Sequence, residues 1–138
     1  MKTKIMVFGT FDGLHLGHLH FFQQARNSAP HPYLIVSIAR DMNVFKIKNF
    51  HPILKERSRL NLVKKCPLVD KVVLSGLHKH LPHILKERPD IIALGYDQKD
   101  YTKNLKKDLK NKGLNVKIIR LKPHKKNIYK NSLLKNKR

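Results

Sequence analysis

Two histidines three residues apart, His15 and His18, lie in the segment Gly9-Thr10-Phe11-Asp12-Gly13-Leu14-His15-Leu16-Gly17-His18. At helical spacing they share one face, and Gly17 keeps the space between them clear. Two imidazoles on one face can donate hydrogen bonds to phosphate oxygens. Donors aimed at charge that develops in a transition state are often the largest single catalytic contribution. The segment begins where the apolar run Ile5-Met6-Val7-Phe8 stops, and it opens a helical pattern. Such a junction suits phosphate. Glycine lets backbone approach a ligand closely, and a helix start offers N–H groups and a positive dipole end. The competing readings are a surface accident, in a chain with nine histidines, and a pair of metal ligands. No third ligand stands at a convincing spacing, so no metal site is assigned.

The elements that must position this segment follow from hydrophobic patterning. Apolar runs at 5–8, 33–39, 71–74, 90–94 and 116–121 are strand-like. Helical patterns at 18–28, 53–65, 81–88 and 103–112 separate them, with Leu19, Phe22, Leu60, Leu62, Val63, Leu105 and Leu109 read as inward. Pro30 and Pro32 end the first helix, and a final short helix is expected at 132–137. Alternating strands and helices predict an α/β fold with a parallel sheet. Ligands in such sheets bind beyond the carboxyl ends of the strands, where strand order reverses. A second cluster, Leu94-Gly95-Tyr96-Asp97-Gln98, leaves the fourth strand. Asp97 could bind a hydroxyl or an ion, and Gln98 could read a base edge. The alternative is an ordinary strand-exit turn.

The segment Gly9 to His18 resembles the signature of the cytidylyltransferase-like nucleotidylyltransferases, GTFD followed by H-x-G-H. The resemblance implies a Rossmann-like five-stranded parallel sheet of order 3-2-1-4-5 with helices on both faces. The Gly9 and Gly95 segments then flank one crevice. It also implies in-line attack on an α-phosphate without a covalent enzyme intermediate. His15 and His18 would stabilise the pentacoordinate phosphorus and the leaving pyrophosphate. Gly9, the Thr10 hydroxyl and the backbone near Phe11 would hold nucleotide phosphates. Ala39-Arg40-Asp41 matches the family's (A/S)-x-D position. Lys46, Lys48, Pro52-Ile53, Glu56 and Arg59 match K-x-K…P-I…E-x-x-R. Lys46 and Lys48 would steer and neutralise triphosphate, with Lys48 counted among the catalytic residues. Arg59 would fork a phosphate, against the alternative of a salt bridge to Glu56 or another helix neighbour. Near the C-terminus the family's phosphate-touching Ser/Thr motif has its nearest match at Asn131-Ser132-Leu133-Leu134. The Lys-Gly of the middle loop is Lys48-Asn49 here.

The stretch PDIIALGYDQ, with ARD and Pro52-Ile53, is most similar to archaeal-type FAD synthases. That similarity implies ATP and FMN giving FAD and pyrophosphate, with Mg²⁺ carried by the nucleotide, and a homodimer. ATP is favoured over CTP. Glycerol 3-phosphate with CTP and a heptose phosphate with ATP are the alternative pairs.

Composition bounds these readings. The chain has 138 residues, which fits one domain over 1–138, and roughly two-thirds of the unfolded surface can be buried at that size. No apolar run reaches the roughly 18 residues of a membrane span, and Met1-Lys2-Thr3-Lys4 leads into a strand without a signal-peptide h-region. One cysteine, Cys66, forms no internal disulfide and reads as a core thiol, in keeping with a cytoplasmic setting. Thirty Lys and Arg against nine Asp and Glu give +21. From Leu109 to Arg138 there are eleven basic residues and no acidic one. Such a field attracts anions. The basic residues are spread along the chain, and only ten residues are aromatic, which argues against a nucleic-acid-binding module. The basic tail over 122–138 is expected to become ordered when ligand binds.

Overall fold

The computed structural model describes residues 1–76, 81–95, 98 and 104–122. Five strands, β1 (Thr3–Gly9), β2 (Pro32–Ile38), β3 (Lys71–Leu74), β4 (Ile91–Leu94) and β5 (Lys117–Arg120), form one parallel sheet in the order β3-β2-β1-β4-β5. Five helices accompany them among the described residues: α1 (Leu16–Arg26), α2 (Asp41–Lys48), α3 (Glu56–Lys64), α4 (Leu81–Glu87) and α5 (Leu105–Asn111). The expected helix at 132–137 lies outside the described residues.

Alternation along the strands sorts the core into two layers. Ile5 and Val7 of β1 face Phe22 and Ala25 of α1 and Val63 of α3. Met6 and Phe8 face Ile84 of α4 and Leu105 and Leu109 of α5. Both faces of the sheet are therefore covered, which is why its strands read as continuous apolar runs. Cys66 is buried with the first layer. No helix among the described residues is long and apolar enough to cross a membrane.

Several boundaries differ from the sequence expectation. The first helix begins at Leu16 rather than at 18, because His15 caps it. Leu19 was read as inward but is exposed; Phe22 and Ala25 carry the packing instead. Pro32 does not stop a helix. It starts β2, a position where a missing N–H is tolerated. Helix α2 was not expected at all. It buries Val44 and exposes Met42 and Phe45, so its apolar residues do not fall on one inward stripe.

The sheet opens where the topology reverses. Strands β1 and β2 stay in register as far as Gly9 and Ile38. Strands β1 and β4 pair only at Ile5 with Ile91 and Met6 with Ile92. Beyond those pairs β1 and β4 part, and the ends of both strands line the crevice between them.

Candidate active site

The turn after β1 is built by close packing against glycine. Phe11 adopts a left-handed backbone at φ 54°, and its ring folds back over Gly9. A Cβ added at Gly9 would lie 2.5 Å from that ring. The Phe11 ring is 5% exposed. It packs at 5.4 Å from the Phe22 ring and meets the His18 ring edge-on at 5.2 Å. The loop is also held from outside. The Asp12 carboxylate accepts the Ile53 N–H at 2.6 Å and the Leu54 N–H at 2.7 Å.

His15 and His18 cap the helix on which they sit. His15 Nδ1 accepts the Gly17 N–H at 3.0 Å, and His18 Nδ1 accepts the His15 N–H at 3.3 Å. This is the reciprocal arrangement of a capping box, made by two imidazoles. The rings stack, with centroids 3.8 Å apart and planes 27° apart. Glycine at position 17 leaves room for this stack, since a Cβ there would lie 2.8 Å from the His15 ring and force it to shift. One helix-start N–H expected to meet phosphate, that of Gly17, is thus engaged by His15 instead.

The cap fixes the chemistry of the pair. A nitrogen that accepts an N–H carries no proton, so each neutral ring holds its proton on Nε2. Both Nδ1 edges face the backbone, and the Nε2–H edges are turned away from it. Burial, and then the neighbouring His15, lower the His18 pKa to about 4. His18 is a neutral N–H donor at ordinary pH.

Arg59 is placed differently from expectation. It is fully buried. Its guanidinium donates to the Leu54 carbonyl at 3.0 Å, the Thr10 carbonyl at 2.8 Å and Asp41 Oδ1 at 2.6 Å. In this arrangement the guanidinium fork expected to meet phosphate holds the turn after β1. The salt-bridge alternative also changes partner, to Asp41, while Glu56 pairs with Arg40 at 3.0 Å. Asp41 and Glu56 cap each other's helices. Asp41 accepts the Glu56 N–H at 3.1 Å, and Glu56 accepts the Asp41 N–H at 3.0 Å. Burial works against the charged form of Asp41, but the hydrogen bonds from Arg59 and the Glu56 N–H outweigh it, and the carboxyl titrates below its ordinary value.

Gln98 also departs from expectation. Its Oε1 accepts the Gly95 N–H at 2.8 Å, and its Nε2 donates to the Phe8 carbonyl at 2.8 Å. The amide bridges the gap where β1 and β4 part and satisfies backbone groups that the ladder leaves behind. In this arrangement it staples the ends of β1 and β4 together. The Gly95 carbonyl accepts from Arg120 at 2.9 Å.

Lys46 and Lys48 lie on α2, not in a loop. Lys46 is exposed; the Lys48 side chain, Asp97 and Ser132 lie outside the described residues. Asn49 ends α2 in the left-handed conformation at φ 59°. Asparagine is the usual substitute for glycine there, which accounts for Lys48-Asn49 in place of Lys-Gly. Sequence reasoning missed the Asp12 tether and the Arg40–Asp41–Glu56–Arg59 network. Their only signal was the set of family positions at Asp12, Asp41, Glu56 and Arg59.

The arrangement can stabilise negative charge at a phosphorus centre with two imidazole N–H donors at the strand ends where β1 and β4 part. Comparisons with known proteins agree with that chemistry. Residues 6–135 match the family model described as cytidylyltransferase-like. The FAD synthase of Korarchaeum cryptofilum is 45% identical over 122 residues, 88% of this chain and 82% of the relative. That of Methanosarcina barkeri is 44% identical over 86% of this chain and 83% of its own. That of Thermoplasma acidophilum is 34% identical over 98% of this chain and 93% of its own. A crystal structure of the lipopolysaccharide core biosynthesis protein from Thermoplasma volcanium superposes with a TM-score of 0.79 at 34% identity. The match covers 86% of this chain and 95% of that one.

Proposed function

The chain belongs to the cytidylyltransferase-like family, and from that premise we propose that it is an FAD synthase, an ATP:FMN adenylyltransferase. The observation that carries the chemistry is the stacked pair of imidazoles with Nε2–H edges turned away from the backbone. The choice of substrates rests on relatives named FAD synthase over more than four-fifths of their length.

In the proposed reaction a phosphate oxygen of FMN attacks the α-phosphorus of ATP in line. The new bond forms on one side as the bond to the β-phosphate oxygen breaks on the other, and pyrophosphate leaves. Charge grows on the α-phosphoryl oxygens and on the leaving oxygen. His15 and His18 donate from Nε2 to that charge, and because each already carries that N–H no proton has to move first. Thr10, Gly9 and the backbone at Phe11 hold the nucleotide phosphates, with Gly95 on the facing wall. Lys46 and Lys48 on α2 supply positive charge to the triphosphate. Asp97 and Ser132 belong to the proposal on family grounds alone.

A divalent ion, Mg²⁺, accompanies the nucleotide in this reading. Asp12 has both carboxylate oxygens engaged by backbone N–H groups, and no group of three metal-binding side chains occurs among the described residues. The residues present fit an ion carried on the triphosphate with its waters rather than one caged by protein. It would supply countercharge to the phosphates. A single domain, a cytoplasmic setting and a homodimer complete the proposal.

The deciding experiment is pyrophosphate release with Mg²⁺ from ATP and CTP, each with FMN, glycerol 3-phosphate or a heptose phosphate. Release confined to ATP with FMN is expected, with FAD as product. Release only from another pair would keep the chemistry and replace the substrate.

A further inference from the structure

Of the seven exposed large apolar side chains among the described residues, four fall in the segment from Met42 to Ile53. Met42 and Phe45 on α2 are 56% and 42% exposed, Phe50 is 57% exposed and Ile53 91%. Met42 and Phe45 are three residues apart and share a face of α2. The left-handed turn at Asn49 reverses the chain, and the His51 ring lies parallel on Phe45, with centroids 4.5 Å apart and planes 17° apart. This surface is continuous with the catalytic loop. Ile53 and Leu54 are held by Asp12, three residues before His15. The Ala39 N–H donates to the Gly9 carbonyl, two residues before α2 begins.

We propose that Phe45, His51 and Phe50 form the platform on which the isoalloxazine ring of FMN stacks while its phosphate meets His15 and His18. This rests on the FMN reading above. The acceptor has a charged phosphate at one end and a flat, uncharged ring system at the other. The site has the matching division, N–H donors at the crevice and aromatic faces on the segment tied to it. Three acids of this region among the described residues are engaged: Asp12 by backbone, Asp41 by Arg59, Glu56 by Arg40. No uncommitted carboxylate in this group therefore opposes the anionic acceptor. Stacking of a heteroaromatic ring on such side chains contributes about 1–3 kcal/mol per ring, so Phe45 sets acceptor specificity without touching the reacting atoms.

The test is steady-state pyrophosphate release with FMN and ATP varied separately. For Phe45→Ala the KM for FMN should rise about tenfold, the KM for ATP should stay as in the wild type, and Phe45→Tyr should restore the FMN value. In the wild-type protein, riboflavin and lumichrome, which carry the ring without the phosphate, should compete with FMN. That second measurement decides the matter if the variant fails to fold. A Phe45→Ala protein that melts like the wild type and keeps its KM for FMN overturns the platform while FAD synthesis stands, as does absence of competition by lumichrome. A shift from dimer to monomer in sedimentation with an unchanged KM for FMN would assign the surface to contact between copies, also overturning it. A wild type that releases pyrophosphate only with another acceptor removes the FMN reading itself, and the platform with it.

Discussion

In the proposed reaction His18 acts through its neutral form, and its surroundings keep it neutral. Protonation would place a hydrogen on Nδ1, where the His15 N–H is already donated, and would put a cation beside a stacked ring. Replacing His18 by Ala should therefore lower turnover by about two to three decades and weaken nucleotide binding far less. Pyrophosphate release paired with equilibrium nucleotide titration measures both, and near-normal turnover would take His18 out of the mechanism. Gly17→Ala tests the same geometry without removing a donor. The new Cβ meets the His15 ring at 2.8 Å, so the ring must turn away. Turnover should fall steeply while the melting temperature changes little. A fully active Gly17→Ala enzyme would show that the stacked arrangement is not the one that reacts.

At the scale of elements, α2 and α3 are ordered less by their own patterns than by each other. Each starts with an acid that caps the other, and Arg59 ties both to the turn after β1. This explains why α2 escapes a reading based on periodicity: among its described side chains Val44 alone is buried, and its start is fixed by a partner fifteen residues away. Arg59→Lys should be costly, since an ammonium cannot reach three acceptors in the guanidinium geometry. Breaking a buried pair costs about 3–5 kcal/mol, and the partial exposure of Asp41 at 31% lowers the expectation to about 2–3 kcal/mol. Urea unfolding measures it. If Arg59 served phosphate instead, the variant would keep its unfolding midpoint and raise only the KM for ATP.

For the whole molecule, pH couples the site to folding. The His18 pKa falls to about 4 in the folded state from an ordinary 6.5, so between those values the unfolded chain binds more protons. Its contribution to stability is fully present above 6.5 and is lost as pH falls towards 4. Asp41 and Asp70, whose folded values are depressed, add a second loss at lower pH, below their ordinary value of 3.8. Thermal melts of wild type and His18→Gln from pH 7.5 to 4 should converge as pH falls. Parallel curves would detach His18 from the acid response. The +21 charge acts on the same scale, as a field that draws in anionic substrates.

The sequence by itself determined the strand positions, because a strand buried on both faces must be apolar throughout, as at Ile91–Leu94. It also determined the pairing of His15 with His18, because capping, stacking and the room left by Gly17 all operate within four residues. The strand order followed from family resemblance. Tertiary structure alone decided which backbone groups Gln98 and Arg59 meet. Gln98 meets Phe8 across a separation of 90 residues, and Arg59 meets Thr10 across 49. A glutamine at a strand exit or an arginine on a helix has the same local pattern whether it awaits a ligand or satisfies distant backbone. Only the folded chain, by bringing unpaired carbonyls within reach, selects between the two.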